Sequence, residues 1–161
     1  WLRSQNCFSI AFEVYVGFLD QKLPVIQRRG FADAVGVSKR YGEPNWEFDT
    51  WCVEAKISKN DFLNGYCSSG CNKHYLITPI GLLGVYGLPK HVGLLELDLD
   101  NYRVVTYRGL PFIEGLVIKK KAKVQRISPE DTEYCMKAIS RSATRSLISV
   151  LKDKYSVSKE E

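Results

Sequence analysis

No apolar run in this chain of 161 residues reaches the roughly 18 that a helix needs to cross a bilayer, so no membrane span and no membrane partner are expected. No basic stretch followed by an apolar one stands at the start, as a secretory leader would require. The first residue is Trp1 and not Met, so a fragment, a processed chain or a trimmed one is expected, with an N-terminal element missing. Charge of one sign is also in short supply. The 23 Lys and Arg against 18 Asp and Glu leave a net +5, a mild lean toward a polyanionic partner that suits a slightly basic protein with no such partner equally well. Internal repeats, low-complexity blocks and long linkers are absent, and the length suits one domain over residues 1–161 with a core of its own.

Cysteine is present but not in a disulfide pattern. Cys7, Cys52, Cys67, Cys71 and Cys135 are odd in number and widely scattered, which argues for reduced thiols and a cytoplasmic setting. Cys52 and Cys135 stand among apolar residues and read as small buried hydrophobes. In CSSGCNKH, Cys67, Cys71 and His74 are a candidate zinc set. The spacing is C-x3-C, and no second ligand pair follows at zinc-finger distance.

What is there reads as a mixed sheet with helices, an α/β chain of α+β type. IAFEVYV (10–16) and FADAVGVS (31–38) are rich in β-branched and aromatic residues and predict strands, and EFDTWCVEAKIS (47–58) predicts a third in an antiparallel meander. SKNDFLNGY predicts a short helix capped by Ser58 or Asn60, with Asp61 in its first turn. This crossover lets HYLITPI lie parallel to the third strand. VGLLELDL and YRVVTYR add strands. Ser128, Pro129, Glu130 and Asp131 open the clearest helix, about 129–154. Its predicted buried stripe is Met136, Ile139, Ala143, Leu147, Val150 and Leu151. Lys137, Arg141, Arg145 and Lys152 lie on another face, readable as a solvated surface or as a basic stripe tracking phosphates.

The stretch WCVEAKIS carries the chemistry. Side chains two apart on a strand point the same way, so Val53, Ala55 and Ile57 are expected to bury, while Glu54 and Lys56 share the other side with Cys52. A carboxylate can hold a hard divalent cation, and an ammonium beside it can steady an attacking water or the charge building on a phosphate. One carboxylate holds Mg²⁺ poorly. Asp33, among the small residues of ADA, is the candidate second acid and Glu13 the candidate third, whereas Asp49 beside a turn is expected to be exposed. From the triplet alone, an ordinary exposed strand pair is the competing reading.

RRGFADAVGV, VEAKISKNDFLNG, NKHYLITPIGLL, HVGLLELD and LVIKKKAKV together resemble a phage and bacterial branch of the PD-(D/E)XK nuclease superfamily, near the MmcB-type DNA-repair proteins, over roughly residues 10–125. The most specific part is E-x-K-x-S-x-x-D-F. The resemblance implies a restriction-endonuclease-like core, a central mixed sheet flanked by helices, and a deoxyribonuclease of phage or DNA-repair context that works with Mg²⁺, or Mn²⁺ as a substitute. By motif, Asp33 and Glu54 match the metal-binding acids, Lys56 the catalytic lysine and Glu13 the preceding acid. Arg28 and Arg29, with Lys119, Lys120, Lys121 and Lys123, are candidates for holding the DNA backbone, against a solvated-surface reading. The implied setting is the cytoplasm of a bacterial or phage-infected cell, with a homodimer as one compatible assembly. No Pro precedes Asp33, and the segment behind the short helix is brief and rich in Cys, Ser and Gly, so the motif adds no further catalytic residue there. The fold also hosts inactive modules, which leaves a non-catalytic nucleic-acid-binding module as the alternative.

Overall fold

A computed structural model describes residues 1–16, 30–40, 48–107 and 110–156. Arg28 and Arg29, and the side chains of Leu147, Val150, Leu151 and Lys152, lie outside what it describes. The chain forms a mixed α/β fold around a six-stranded sheet. Its strands are β1 (Cys7–Val16), β2 (Gly30–Lys39), β3 (Phe48–Ala55), β4 (Lys73–Pro79), β5 (Val92–Leu97) and β8 (Leu116–Lys120), in the order β1-β2-β3-β4-β5-β8. Strands β6 (Arg103–Tyr107) and β7 (Leu110–Glu114) pair as a separate two-stranded sheet. Helix α1 (Lys59–Leu63) joins β3 to β4, and helix α2 (Pro129–Ser156) closes the described chain.

The expected meander is present: β1–β2 and β2–β3 are antiparallel, and β4 runs parallel to β3 after the α1 crossover. Ser58 caps α1 by accepting a hydrogen bond from the Asp61 N–H at 3.1 Å, and Ser128 does the same for α2 from Asp131. The strand over LVIKK was not anticipated. It pairs with β5, bypassing the β6–β7 hairpin between them.

The core has two faces. On one, α2 lies against β1 and buries Cys135 and Ile139 with Ala11, Val14, Val16, Val35, Val37 and Cys52. Ala143, expected in the buried stripe, is exposed; among the described side chains of α2 the buried ones, Cys135 and Ile139, stand nearer its start. On the other face Trp51, Val53, Tyr75 and Leu95 gather with Leu2 and Cys7. Asp49 is buried, contrary to expectation. Ion pairs with Arg40 at 2.7 Å and Lys73 at 2.9 Å compensate its charge.

Candidate active site

The site forms where β3 stops pairing with β2. Their register ends at Ala34–Val53, so Asp33 stands beside β3 residues that have left the antiparallel ladder. The Asp33 carboxylate takes up one freed donor: its Oδ2 accepts from the Ala55 N–H at 2.6 Å. Beyond this point the expected burial is inverted. Ala55 and Ile57 are exposed, whereas Glu54 and Lys56 are each only 7% exposed. The acid and the base are the inward pair because they share a face with Cys52 and the α1–β4 connection covers that face.

Glu54 and Lys56 form a buried ion pair with Nζ to Oε1 at 2.8 Å, and Glu54 Oε2 accepts from the Cys67 N–H at 2.7 Å. Asp61 completes the frame. Its Oδ1 lies 3.4 Å from Lys56 Nζ and its Oδ2 accepts from the Ile57 N–H at 3.1 Å. The Lys56 backbone N–H donates to Ile77 on β4. Burial pushes the Glu54 carboxyl above its ordinary range. The Lys56 and Cys67 hydrogen bonds and the Lys56 charge offset part of this, and the nearby charge of Asp33 adds to the rise. For Lys56, burial works against the ammonium, but the hydrogen bond and charge of Glu54 and the charge of Asp61 outweigh it and hold the group above the usual lysine value. Tyr66, stacked on Phe62, is raised by burial and by the Glu54 charge.

Glu13 lies level with Asp33, between the register pairs Phe12–Ala34 and Val14–Ala32. Its backbone is left-handed, φ 51°, a conformation that costs a non-glycine residue on the order of 1–3 kcal/mol. Ala11 and Val14, three apart, enter the same core cluster, as do Ala32 and Val35 on β2. The in–out alternation therefore slips by one on both strands at this level, and Glu13 and Asp33 are both exposed.

Of the lysines, Lys119, Lys121 and Lys123 are exposed, with Lys119 3.7 Å from Glu96. Lys120 has a different role from the one expected. Its ammonium donates to the Leu88 and Pro89 carbonyls at 3.3 and 2.7 Å and so ties β8 to the loop before β5. Glu54 pairs with Leu76, Leu76 with Leu94 and Leu94 with Lys120. The lysine edge thus lies level with the acids, three strand spacings or about 14 Å away. Sequence reasoning missed the Asp61 brace and the Cys67 N–H. The first was signalled only by Asp61 within E-x-K-x-S-x-x-D-F, and the second by nothing, since it is backbone.

Among the described residues no helix is long and apolar enough to cross a membrane. A scan of known protein families finds no match, and neither does a search of curated proteins. Among solved structures the chain is similar to the SPO1766 protein of Silicibacter pomeroyi, described as of unknown function. The identity is 18% and the TM-score 0.58, over 95% of this chain and 85% of that one. At that identity the likeness concerns the fold alone.

Proposed function

We propose that the chain is a metal-dependent nuclease of the PD-(D/E)XK type acting on DNA, with Asp33, Glu54 and Lys56 at its centre. The observation that carries this reading is the buried Lys56–Glu54 pair at 2.8 Å with Asp33 near enough for its charge to raise the Glu54 carboxyl. Two like charges held together at a strand end are what a divalent cation relieves. The donor set fits such an ion. Asp33 Oδ1 has no partner among the described residues, and each Glu54 oxygen, though it accepts one hydrogen bond, retains a second lone pair. Asp33 and Glu54 would hold Mg²⁺ or Mn²⁺, with Glu13 as a third acid. When bound, the ion supplies Lewis-acid polarisation of a phosphate and a lowered pKa for a coordinated water.

Lys56 has three N–H donors. One goes to Glu54 and one faces Asp61, which leaves a third for a water or a phosphate oxygen. Asp61 is a positioning residue: it fixes the stem of Lys56 without touching substrate. Exposed Lys119 adjoins the β8 position level with Glu54, and exposed Lys121 and Lys123 follow just past the strand end; a nucleic acid laid across the sheet would meet this edge.

The test is single-turnover cleavage with saturating Mn²⁺ on duplex, single-stranded, flapped and four-way DNA, beside calorimetric titration of the metal. Asp33→Ala and Glu54→Ala should each abolish both metal binding and cleavage. Lys56→Ala should keep metal binding and lose about 10²–10³ in rate, the usual cost of removing one electrostatic contact to the transition state. Lys56→Ala cutting as fast as the unaltered chain would remove the lysine from the mechanism. A second reading, a non-catalytic nucleic-acid-binding module, draws on the protein partners of both Glu54 oxygens, the Lys56 ammonium and the Cys67 N–H. DNA binding with no cleavage of any of the four substrates would select it.

A further inference from the structure

Behind Glu54, on the same face of the sheet, lies a second cluster with chemistry of its own. Cys52 on β3 and His74 on β4 are register partners, so they stand side by side on adjacent parallel strands. The connection from α1 to β4 folds back over them and brings in Cys67. The Cys52 and Cys67 sulfurs and a ring nitrogen of His74 all lie within 4.8 Å of one another. Cys71 is buried next to them, its backbone facing His74 Nε2 and its sulfur 3.6 Å from that of Cys135. Among the five thiols, all free, Cys52, Cys67 and Cys71 are buried here with His74.

The connection itself is unusual. Cys67, Ser68, Ser69, Cys71 and Asn72 are all buried, although the segment has neither regular structure nor large apolar side chains. A buried irregular segment needs something to hold it. Asn72 does part of this, accepting from the Thr50 N–H and hydroxyl at 2.8 and 2.9 Å and donating to the Gln125 carbonyl at 3.0 Å.

His74 supplies a second, independent observation. Its closer polar contact is between Nε2 and the Cys71 carbonyl at 3.0 Å. Nε2 also lies 3.3 Å from the Cys71 N–H, so the Cys71 backbone faces it in either tautomer; in the tautomer that donates to the carbonyl, the ring lone pair is on Nδ1. Nδ1 is buried and has no hydrogen-bond partner among the described residues. An imidazole facing backbone polar groups through one nitrogen, with the other buried and unpartnered, is the usual arrangement of a metal-ligating histidine.

We propose that Cys52, Cys67, Cys71 and His74 form a structural zinc site that clamps the α1–β4 connection onto the sheet. Three sulfurs and one nitrogen match the Cys₃His donor set of closed tetrahedral zinc sites. Zn–S bonds of about 2.3 Å at the tetrahedral angle put sulfurs about 3.8 Å apart; Cys52, Cys67 and His74 need only a small contraction to reach this, while the Cys71 thiol has to turn toward them to complete the set. The three thiols lose their protons on binding. Cys135, whose sulfur lies 3.6 Å from that of Cys71, then donates its S–H to the Cys71 thiolate. The clamp is independent of the nuclease reading, but it touches the acid site: Cys67, a zinc ligand through its sulfur, donates its backbone N–H to Glu54.

The test is metal content. The purified chain, kept reduced and incubated with zinc, is freed of loose metal and analysed by plasma mass spectrometry. One zinc per chain is expected. Cobalt in its place should give a thiolate-to-metal charge-transfer band and the intense visible bands of a tetrahedral site. Cys67→Ser and Cys52→Ser should lose the bound zinc, while Cys7→Ser, on the opposite face, should keep it. Since a ligand variant can fail to fold, the cobalt spectrum of the unaltered chain stands as a test by itself. A folded chain that takes up neither zinc nor cobalt overturns the proposal. So does iron–sulfide absorbance, a Cys71–Cys135 disulfide in the metal-free folded chain, or full zinc retention by Cys67→Ser.

Discussion

Lys56 and Glu54 are worth more to each other than either is to the fold alone. Both are buried, and breaking such a pair leaves a charge without its counter-charge. Lys56→Met should therefore lower stability by about 3–5 kcal/mol. The double variant with Glu54→Gln should recover much of that loss, as a positive coupling in a denaturant double-mutant cycle. The pH dependence follows from the direction of the Glu54 shift. Its folded pKa lies above the ordinary value of 4.5, so between the two values the native state holds more protons than the unfolded one. Stability must then fall as pH rises from 4.5 through the folded pKa. Glu54→Gln should remove that decline, seen as a flatter plot of unfolding free energy against pH from urea melts. At this scale the sequence was informative. Two charges on one side of an apolar strand marked the pair, but their burial was unexpected, because the covering segment comes from residues 64–72, where cysteines and small polar residues hid an inward-facing connection.

The elements were legible wherever one local period ran unbroken. β1 to β5, the capped α1 and the start of α2 all follow from alternation, caps and turn residues. β8 was not legible. Its lysine-rich end breaks the alternation, and its partner β5 lies beyond an intervening hairpin, so only tertiary pairing reveals it. That placement divides the lysines into two kinds. Reversing exposed Lys119, Lys121 and Lys123 to Glu should weaken DNA binding on all sequences alike and flatten its salt dependence, with the melting temperature little changed. Lys120→Ala should lower the melting temperature, since it abandons the Leu88 and Pro89 carbonyls. Filter binding over a salt series and thermal melts on the same variants separate the two roles. If the triple reversal leaves affinity intact, the contact surface lies elsewhere, and Arg141 and Arg145, both exposed on α2, are the next residues to vary.

For the molecule as a whole, strand directions dictate an order of assembly. β2 and β3 are antiparallel neighbours in sequence and can zip from a short connection, whereas β3, β4 and β5 run parallel and align only after each crossover has closed. Closing those crossovers costs entropy before any contact compensates it. The β2–β3 hairpin is thus the natural folding nucleus, and β4–β5 the late addition. In a chevron analysis Val35→Ala, in the hairpin, should slow refolding, while Leu94→Ala, equally buried on β5, should chiefly speed unfolding. Equal effects on both limbs would mean that the parallel strands join the transition state. Asp33 and Glu54 belong to the early hairpin, but the fixed ammonium of Lys56 and the Cys67 N–H arrive only with the crossover. If the two acids hold a divalent ion as proposed, Mg²⁺ or Mn²⁺ added to the refolding buffer should speed refolding, and a chelator added with it should cancel the gain.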